Sequence, residues 1–409
     1  MNKTKKTTLG RITKSIFDGK HGDCEDKPGS GCYFISVKNL RDYEIDYSNA
    51  REITESDFAQ NYVRTNLENG DTIYANTGDT IGKSLFVQDN PLASKTSFQK
   101  SVAILKPDTE YVEPRYLYYL MKYETQRLRR ASTGSGQKNL LLSTMRDFEL
   151  SIHDRKKQKE IVAVLGCIDD RIRCNKNIND NLQQQLKLLY DYWFTQFDFP
   201  DKNGNPYHTS GGQMVWNSEL KREIPADWSV KSLSDILIKN TEAFDYKSEL
   251  PAIDLSVMPS DSIALEELNS SRNFNTNLYV MQQGDILFGS IRPYLHKAGF
   301  APCDGVVAGT VHSYKTKKRE DYNFALFTLC RNTFFDYAVN VSAGTKMPVI
   351  NSDSLLAYKV AYCPEIVEKF NSFSVIDTIA KNIQESQRLI ALRDWLLPML
   401  MNGQITVSD

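Results

Sequence analysis

The sequence lacks any long apolar segment, and this absence excludes a membrane-spanning helix. No stretch approaches the roughly 18–20 consecutive apolar residues that cross a bilayer. The basic start, MNKTKKTTLGRITKSIF, has no apolar core of a signal peptide. The seven cysteines are scattered and form no CxxC pair, which favours reduced thiols in the cytoplasm. A chain of 409 residues is too long for one ordinary core, so we predict two or more domains.

Catalytic and metal-binding patterns are also missing. Gly78–Ser84 resembles a phosphate-binding loop, but it is one residue short, and the apolar residues after it predict a strand where that loop needs a helix. Asp201 and Glu219 with Lys221 loosely match a nuclease, yet they lie in a Gly- and Pro-rich stretch. The five histidines show no metal-ligand spacing, and the motifs of an adenine methyltransferase are absent. We therefore predict no catalytic residue, no metal site and no cofactor-binding residue in this chain.

The charge balance does not indicate a nucleic-acid-binding protein, since the net charge is −1. The charge is uneven, however: Arg115 to Lys176 holds fourteen basic and seven acidic residues. Such a surplus could hold a phosphate backbone, although a solvated helical face explains any single residue as well. The matching stretch of the second half, 323–383, has a net charge near zero. If both stretches hold a phosphate backbone, the second must rely more on the loops that precede it.

One plan occurs twice along the chain. GDTIYANTGDTIGKSLFV begins at Gly70 and GDILFGSIRPYLHKAGFAP at Gly284, and each predicts two short strands around a turn. A helical stretch rich in Tyr, Leu and Phe follows each, at about 114–130 and 323–339. The offset between matching positions falls only from 214 residues at the hairpins to 207 at the closing helices. This constancy indicates a duplicated unit whose copies have diverged.

The remaining segments follow the same order in both copies. Thr8–Ile12 opens the first and Ser232–Ile236 the second, and glycine loops lie around Gly136 and Gly344. A short strand and a long helix then close each copy. Between the copies, residues 198–228 are dense in Gly, Pro, Asn and Ser, which predicts a connector rather than a regular element.

The closing helices carry apolar stripes that need a partner. In the first, residues 155–197, seam positions step by four and three, the 3.5-residue period of a left-handed coiled coil. Asn175 and Asn179 at the seam weaken packing but can fix the register. The second runs from about 366 to 397, until Pro398 disturbs it. The other copy's helix is the nearest partner, and packing on its own domain is the alternative. Predicted helix–helix packing residues are Ile161, Leu165, Ile168, Ile172, Leu182, Leu186, Leu189, Ile376, Ile379, Ile383, Leu389, Leu392 and Leu396.

Several segments resemble type I restriction-modification specificity subunits. GSGQKNLLLSTMRDFEL, KKQKEIVAVLGCIDDRIRCNKNINDNLQQQLKLLYDYWF and GGQMVWNSELKREIPADW are similar to the central region of that family, and ESQRLIALRDWLLPMLMNGQI is similar to its distal region. The resemblance covers essentially the full chain, in the order recognition domain, helix, recognition domain, helix.

The resemblance implies an α+β fold with pseudo-twofold symmetry. Two similar target-recognition domains, each a mixed β-sheet with helices, would be separated by two long helices packed as an antiparallel coiled coil. The first domain would span 1–152 and the central long helix 153–198. The connector and second domain would span 199–364, and the distal long helix and C-terminal tail 365–409.

The resemblance also implies a role in a larger enzyme. Each domain would read one half of a bipartite site in double-stranded DNA, and the helices would set the spacing and dock two modification subunits. Those subunits would bring S-adenosylmethionine, and restriction subunits would add ATP- and Mg-dependent translocation and cleavage. The chain itself would be non-catalytic and cytoplasmic, in a bacterial or archaeal cell, and associated with the nucleoid through DNA. A coiled-coil scaffold without DNA recognition and a self-sufficient DNA-modifying enzyme remain as alternatives.

Base reading requires side chains that match the edges of bases in the major groove. Arg or Lys suits guanine and Asn or Gln suits adenine, while phosphate contacts position the domain. The Gly-Ser-Gly backbone around Gly136 could also approach a phosphate closely. The DNA-reading candidates are Lys20, His21, Lys38, Asn39, Lys83, Lys95, Thr96, Gln99, Lys100, Ser135, Gln137, Lys138 and Asn139 in the first copy, and Arg272, Asn275, Arg292, Tyr294, His296, Lys297, His312 and Lys346 in the second. For each one, an ordinary surface or turn residue is the alternative.

Overall fold

The computed structural model describes residues 4–134, 138–246 and 248–405, and the chain divides into two compact units. Unit 1 comprises Met1–Arg173 together with Leu389–Asp409. Unit 2 comprises Cys174–Arg388. Both units are mixed assemblies of helices and strands, as the predicted α+β class requires.

Unit 1 is built around a four-stranded and a three-stranded sheet. Its strands are β1 (Lys5–Thr8), β2 (Thr13–Asp18), β3 (Tyr33–Ile35), β4 (Arg51–Glu52), β5 (Thr72–Ala75), β6 (Ser84–Phe86), β7 (Thr96–Phe98), β8 (Val102–Pro107) and β9 (Glu149–Ile152). The sheet orders are β2-β8-β5-β6, which is antiparallel throughout, and β4-β3-β7, in which β3 and β7 are parallel. β1 pairs separately with β9. The helices are α1 (Glu55–Thr65), α2 (Pro114–Ala131), α3 (Leu142–Asp147) and α4 (Arg155–Tyr190).

Local sequence explains where the helices of unit 1 begin and end. Thr54 caps α1, since its hydroxyl accepts a hydrogen bond from the Asp57 amide, and Asn66 ends the helix in a left-handed conformation. Pro114 occupies the first turn of α2, where its missing N–H costs no helical hydrogen bond. α2 agrees closely with the helix predicted at 114–130. Its fully buried Tyr116, with neighbouring Tyr and Leu residues, covers the four-stranded sheet.

Unit 2 repeats this architecture. Its strands are β10 (Met214–Asn217), β11 (Arg222–Pro225), β12 (Ser229–Ser232), β13 (Leu237–Lys239), β14 (Pro251–Ile253), β15 (Asn269–Ser270), β16 (Leu278–Met281), β17 (Ile286–Gly289), β18 (Ala298–Phe300), β19 (Gly305–Ala308), β20 (Val311–Thr316) and β21 (Lys359–Tyr362). The helices are α5 (Leu233–Ile236), α6 (Tyr322–Leu329), α7 (Asn332–Asn340), α8 (Ser352–Leu356), α9 (Pro364–Asn371) and α10 (Val375–Met401).

The strand orders of the two units correspond. The sheet β13-β20-β17-β18 has the connectivity of β2-β8-β5-β6, and β12 pairs with β21 as β1 pairs with β9. The sheet β15-β14-β19-β16 contains a parallel β14–β19 pair, as β4-β3-β7 contains a parallel β3–β7 pair. Both predicted hairpins, β5–β6 and β17–β18, are antiparallel as expected.

The two long helices contribute a segment to each unit, because α4 divides after Arg173 and α10 after Arg388. In unit 2 the segments run antiparallel: Asn382 Nδ2 donates to Asn179 Oδ1 at 2.9 Å, and Asn175 Nδ2 donates to Glu385 Oε2 at 2.8 Å. In unit 1, residues of α4 and α10 share one apolar core. Of the predicted packing residues, Ile161, Leu165, Ile168, Ile172, Leu186, Ile376, Ile379 and Ile383 are buried, while Leu182, Leu189, Leu389 and Leu396 are partly buried.

Leu392 departs from the prediction. Its side chain is 44% exposed, whereas the neighbouring Arg393 is 7% exposed. The 3.5-residue period of α10 continues past Ile383 in a register that brings Arg393 inward, and Asp169 compensates its charge there. The inward positions of α10 are Ile376, Ile379, Ile383, Ser386, Ile390, Arg393, Leu397 and Leu400.

The predicted connector contains a regular element. β10 and β11 form an antiparallel hairpin within residues 198–228. Asn217 Oδ1 accepts hydrogen bonds from the amides of Glu219 and Leu220, and Lys221 has a left-handed backbone, so the Asn- and Lys-containing turn closes two strands. Because this segment is rich in Gly, Pro, Asn and Ser, its composition predicted a connector and not a hairpin.

Two predicted helices are interrupted. The stretch 323–339 forms α6 and α7, because the extended backbone of Arg331 separates them. The closing helix expected at 366–397 forms α9 and α10, and α10 passes through Pro398 to Met401. Proline near a helix end removes few hydrogen bonds, which allows the last turn to continue.

Candidate nucleic-acid interface

Loops of unit 1 gather at one end of the four-stranded sheet. β2 ends there at Asp18 and β5 at Ala75, while β8 starts at Val102 and β6 at Ser84. Because these strands are antiparallel, the four termini lie at the same end of the sheet. The loops at this end carry seven of the predicted DNA-reading residues: Lys20, His21, Lys83, Gln99, Lys100, Lys138 and Asn139.

Backbone hydrogen bonds hold the glycine loop against these turns. The Leu140 amide donates to the Asn76 carbonyl at 2.8 Å, and the Gly78 amide donates to the Lys138 carbonyl at 2.7 Å. The Asn76 amide donates to the Ser101 carbonyl at 3.1 Å. With its side-chain nitrogen turned towards the same loop, Asn76 also donates to the carbonyls of Lys100 and Ser101. Asn76 therefore connects three loops, although it is not among the residues predicted from the sequence.

Unit 2 repeats this arrangement bond for bond. The Ser290 amide donates to the Thr310 carbonyl at 2.9 Å, and the Ile350 amide donates to the Ser290 carbonyl at 3.0 Å. The Arg292 amide donates to the Pro348 carbonyl at 2.8 Å. Ser290 thus takes the place of Asn76, six residues after the glycine of the Gly-Asp pair that opens each hairpin. The alignment of the two repeats could have identified Asn76 and Ser290 as equivalent positions, since each follows the same Gly-Asp motif at the same distance.

The Gly-Asp pair itself is structural. Gly70 and Gly284 have left-handed backbones, which glycine adopts without steric cost. Asp71 Oδ2 accepts from the Glu68 amide, and Asp285 Oδ2 accepts from the Gln282 amide. Both carboxylates are buried and close the turn before the hairpin. The motif therefore marks the foot of the hairpin, at the opposite end of the sheet from the gathered loops.

The two units differ at two left-handed positions. Gly78 and Gly82 of unit 1 correspond to Arg292 and His296 of unit 2, whose φ angles are 53° and 51°. A residue with a Cβ atom costs roughly 1–2 kcal/mol in this conformation. The His296 ring stacks on Phe335 with 4.4 Å between ring centroids and contacts Asp261, which supports its backbone. Arg292 is exposed.

Among the unit 1 candidates, several lysines are accessible. Lys38, Lys95, Lys100 and Lys138 are exposed, and Lys83 is partly buried. Lys95 lies at the opposite end of the β3–β7 pair from Lys38 and so is separate from the gathered loops.

Lys20, His21 and Gln99 belong to the gathered loops, but each also makes a contact within unit 1. Lys20 Nζ donates to Asp57 Oδ1 at 2.7 Å, and this hydrogen bond raises the pKa of Lys20. His21 Nε2 lies 2.9 Å from Asp18 Oδ2, although its ring is 62% exposed. Gln99 is partly buried, and its amide donates to the Ile35 carbonyl.

Asn39 and Thr96 occupy structural positions. Asn39 is buried, and its Oδ1 accepts hydrogen bonds from the amide and hydroxyl of Ser36. Thr96 is fully buried and its hydroxyl donates to the Leu92 carbonyl at 2.7 Å. These contacts occupy the polar atoms that would read a base, so we remove both residues from the proposed reading set. Ser135 and Gln137, with Gly136, lie outside the described residues.

In unit 2, Asn275, Arg292, Tyr294 and Lys346 are exposed, and Tyr294 is 51% exposed. Asn139 of unit 1 is likewise exposed. Arg272 is exposed but pairs with Glu249 at 3.0 Å.

Lys297 and His312 point into the protein. Lys297 Nζ donates to the Leu255 carbonyl, and burial lowers the pKa of Lys297. His312 lies in β20 beside Tyr314, with 3.1 Å between Nδ1 and the tyrosine oxygen, and burial lowers its pKa to about 4. We remove both residues from the proposed reading set because the Lys297 ammonium is engaged within the unit, and the His312 ring is partly buried with its Nδ1 against Tyr314.

The basic surplus between Arg115 and Lys176 largely serves the fold. Arg115 forms a two-pronged pair with Asp170 at 2.9 and 3.0 Å. Other basic residues of this stretch pair with carboxylates or carbonyls: Arg127 with Glu124, Arg146 with the Ile16 carbonyl, and Arg155 with Glu113. The predicted phosphate-binding surplus is therefore much smaller than the count of basic residues suggested.

The structure also locates the two motifs that loosely match catalytic patterns. Gly78–Ser84 leads into strand β6. Asp201 accepts hydrogen bonds from the amides of Asn203 and Asn205, and Glu219 pairs with Lys359. Across the described ranges, no group of three His, Cys, Asp or Glu residues is placed to hold a metal ion. In the same part of the chain, no helix is both long and apolar enough to cross a bilayer.

The comparisons with known proteins point to one family. Residues 27–184 match the type I restriction modification DNA specificity domain. The chain is 25% identical over 400 residues to the MjaIX type I restriction enzyme specificity subunit of Methanocaldococcus jannaschii, covering 93% of this chain and 88% of that protein. It is 21% identical over 410 residues to the HindI specificity subunit of Haemophilus influenzae, covering 83% and 87%.

A solved structure supports the fold. The type I restriction-modification S subunit from M. genitalium superimposes with a TM-score of 0.55 at 14% identity, covering 98% of this chain and 96% of that one. Two mixed units of helices and strands, with long helices and matched surface loops, agree with these similarities to DNA specificity subunits. Residues 27–184 therefore match a DNA specificity domain, and most of the chain is similar to type I restriction enzyme specificity subunits.

Proposed function

We propose that this chain reads a bipartite DNA sequence for a type I restriction-modification enzyme, with one half-site read by the gathered loops of each unit. The repeated anchoring of those loops is the observation that carries the proposal. Asn76 in unit 1 and Ser290 in unit 2 hold equivalent loops with equivalent hydrogen bonds. Rigid loops at the end of a sheet can present side chains to base edges at a fixed geometry.

The reading residues differ between the units, which fits two unlike half-sites. In unit 1, Lys83, Lys100 and Lys138 have no carboxylate partner within the described part of the chain. Together with Lys20, His21, Gln99 and Asn139, they can contact phosphates or guanine edges. In unit 2 we assign the role to Arg292 with its exposed neighbours Tyr294 and Lys346. Lys38, Arg272, Asn275 and His296 contribute at the margins, whereas Lys95 lies away from the gathered loops and has no part in reading.

The long helices have a separate role in this proposal. α4 and α10 pack as an antiparallel coiled coil related by a pseudo-twofold axis, and they set the spacing between half-sites. Such an axis offers equivalent docking faces to two modification subunits. Those subunits bring S-adenosylmethionine, and restriction subunits bring ATP- and Mg-dependent translocation and cleavage, in the cytoplasm of a prokaryotic cell. In this proposal, the predicted domain boundaries after residues 152, 198 and 364 separate the two DNA-reading domains from the two long helices.

Single-molecule methylome sequencing tests the proposal. The chain is co-expressed with its modification subunit in a host without methylation, and a split methylated motif is expected. In binding assays, the triple variant Lys83→Gln, Lys100→Gln, Lys138→Gln should weaken DNA binding at least tenfold. It should also reduce the salt slope by about 0.9 for each phosphate that is no longer neutralised. Arg292→Ala should relax the motif in the other half-site only.

Matched controls keep the test specific. Lys14 is exposed at the far end of β2, and Lys318 lies beyond the far end of β20. Lys14→Gln and Lys318→Gln should leave affinity and motif unchanged. Absence of any split motif, or equal effects of the controls and the loop variants, would contradict the assignment.

A further inference from the structure

Unit 2 contains a partly enclosed cavity of about 410 Å³ whose lining includes none of the proposed DNA-reading residues. It lies between the π-helical turn Asp191–Thr195 that follows α4, the β10–β11 hairpin, α7 and β21. Its volume falls in the range of small-ligand sites, which is roughly 300–1,000 Å³. π-Helical turns occur often at functional sites, since they displace side chains from the regular helical pattern.

The charges around the cavity do not balance. Arg331 Nε lies 3.4 Å from Asp191 Oδ1, and Lys359 forms an ion pair with Glu219. Arg222 has no carboxylate partner among the described residues, and its Nη2 donates to the Thr195 carbonyl at 2.6 Å. Once Asp191, which pairs with Arg331 from outside the lining, is counted, one positive charge of the lining remains uncompensated.

Arg222 is held in a way that leaves this charge facing the cavity. Its guanidinium stacks over Phe197 with 4.5 Å to the ring centroid, and the side chain is partly buried. Burial, and then the neighbouring charge of Arg331, lowers the pKa of Arg222. A partly buried cation beside a second cation is unfavourable unless an anion joins them.

The other walls are apolar. Tyr190, Phe194, Tyr337 and Tyr358 line the cavity with aromatic surface. Tyr190 is nearly fully buried, and its hydroxyl bonds to Thr328 at 2.8 Å, so it presents its ring rather than a free polar group. A ligand that fits these walls carries an anionic head on an apolar or aromatic body.

We propose that this cavity is a binding site for an organic monocarboxylate with an apolar body, held by Arg222 and Arg331. A carboxylate matches the planar fork of a guanidinium and balances the single surplus charge. A phosphate dianion would exceed that charge and would face repulsion from Glu219 at the lining. The carboxylate can belong to a free acid or to an acidic residue of a polypeptide that docks on unit 2.

Calorimetric titration of the full chain tests the site with defined probes. Phenylacetate should bind at least tenfold more tightly than phenylacetamide, its neutral analogue, and more tightly than phenyl phosphate. Arg222→Gln should reduce phenylacetate affinity at least tenfold. Arg272→Gln is the matched control, because Arg272 is an exposed arginine of the same unit outside the cavity, and it should bind as the unchanged protein does.

Two further arms make the outcome decisive. Tyr337→Trp fills the cavity without removing a charge and should also abolish binding, which covers the case of an Arg222 variant that fails to fold. A blocked peptide with an internal Phe-Asp pair identifies the source: tighter binding than phenylacetate assigns the site to a docking polypeptide, and weaker binding assigns it to a free acid. Equal affinity for phenylacetate and phenylacetamide, or full binding by a folded Arg222→Gln variant, would overturn the proposal.

Discussion

Arg393 of α10 lies against Asp169 of α4, with 3.0 Å between Nη1 and Oδ1, and both side chains are buried within unit 1. Tyr43 accepts a hydrogen bond from Arg393 at 2.6 Å and donates one to Asp169 at 3.2 Å. Tyr119 donates to the other carboxylate oxygen at 2.7 Å. The apolar pattern of α10 predicted that Leu392 would face inward, whereas this network holds the charged side chain of Arg393 there.

Breaking this pair should strongly destabilise unit 1. Asp169→Asn leaves the buried Arg393 with only the exposed carboxylate of Asp394, at 2.9 Å, as a counter-charge. We therefore expect a cost near the lower end of the roughly 3–5 kcal/mol that breaking a buried ion pair typically takes. Urea unfolding followed by circular dichroism measures the loss. Replacing both residues by leucine should cost less than the sum of the two single replacements.

Glu55→Gln is the control for this prediction. Glu55 pairs with Lys27, and both side chains are more than half exposed. Loss of an exposed pair that solvent and salt screen should change the unfolding free energy far less than loss of the buried pair. A cost for Asp169→Asn no larger than that of Glu55→Gln would refute the role given to the buried pair.

Asn179 should stabilise the helix pair of unit 2 through its side-chain amide. It is 1% exposed and accepts a hydrogen bond from Asn382 Nδ2. Asn179→Leu leaves that donor unpaired, which costs about 1–3 kcal/mol. The double variant with Asn382→Leu should recover most of the loss, and a double-mutant cycle of unfolding free energies measures the coupling. Additive effects of the two replacements would argue against it.

Arg292 should lower the stability of unit 2 while contributing to DNA recognition. Its left-handed backbone stands where unit 1 has Gly78, so Arg292→Gly should raise the unfolding free energy by about 1 kcal/mol. The same change should relax the methylated motif in one half-site, because a long guanidinium side chain is removed. Thermal unfolding and methylome sequencing of one preparation test both effects. A gain in stability with an unchanged motif would separate Arg292 from recognition.

His312 should make unit 2 less stable in mild acid. Its pKa falls from 6.5 to about 4 because of burial, so the folded state holds fewer protons than the unfolded state between these values. Stability due to the neutral ring is present above pH 6.5 and is lost as the pH falls towards 4. We expect about 2 kcal/mol from this group.

His312→Gln should remove that part of the pH dependence. Comparing urea unfolding of both proteins at pH 7 and pH 4.5 isolates the contribution of His312 from that of the carboxylates. Identical pH profiles would show that the ring is not protonated on unfolding in this range.

Periodicity and repetition determined much of this protein. The aligned Gly70 and Gly284 motifs predicted both hairpins and the order of elements, because a turn glycine and alternating strands are local properties. Ile161, Leu165, Ile168 and Ile172, four seam positions of the heptad pattern in α4, are buried. Resemblance to a family supplied the function, which no single motif carried.

Only the tertiary structure decided which polar groups are engaged and which are accessible. Nothing local distinguishes Thr96, buried and bonded to Tyr47, from the exposed Lys95 beside it. Arg393 and not Leu392 lies on the buried face of α10, because the Asp169 carboxylate of α4, far away in sequence, lies opposite it. The Arg222 cavity likewise assembles from residues far apart in sequence. Burial and charge compensation depend on side chains that folding brings together from distant parts of the sequence. Local sequence patterns do not give the distances between such side chains.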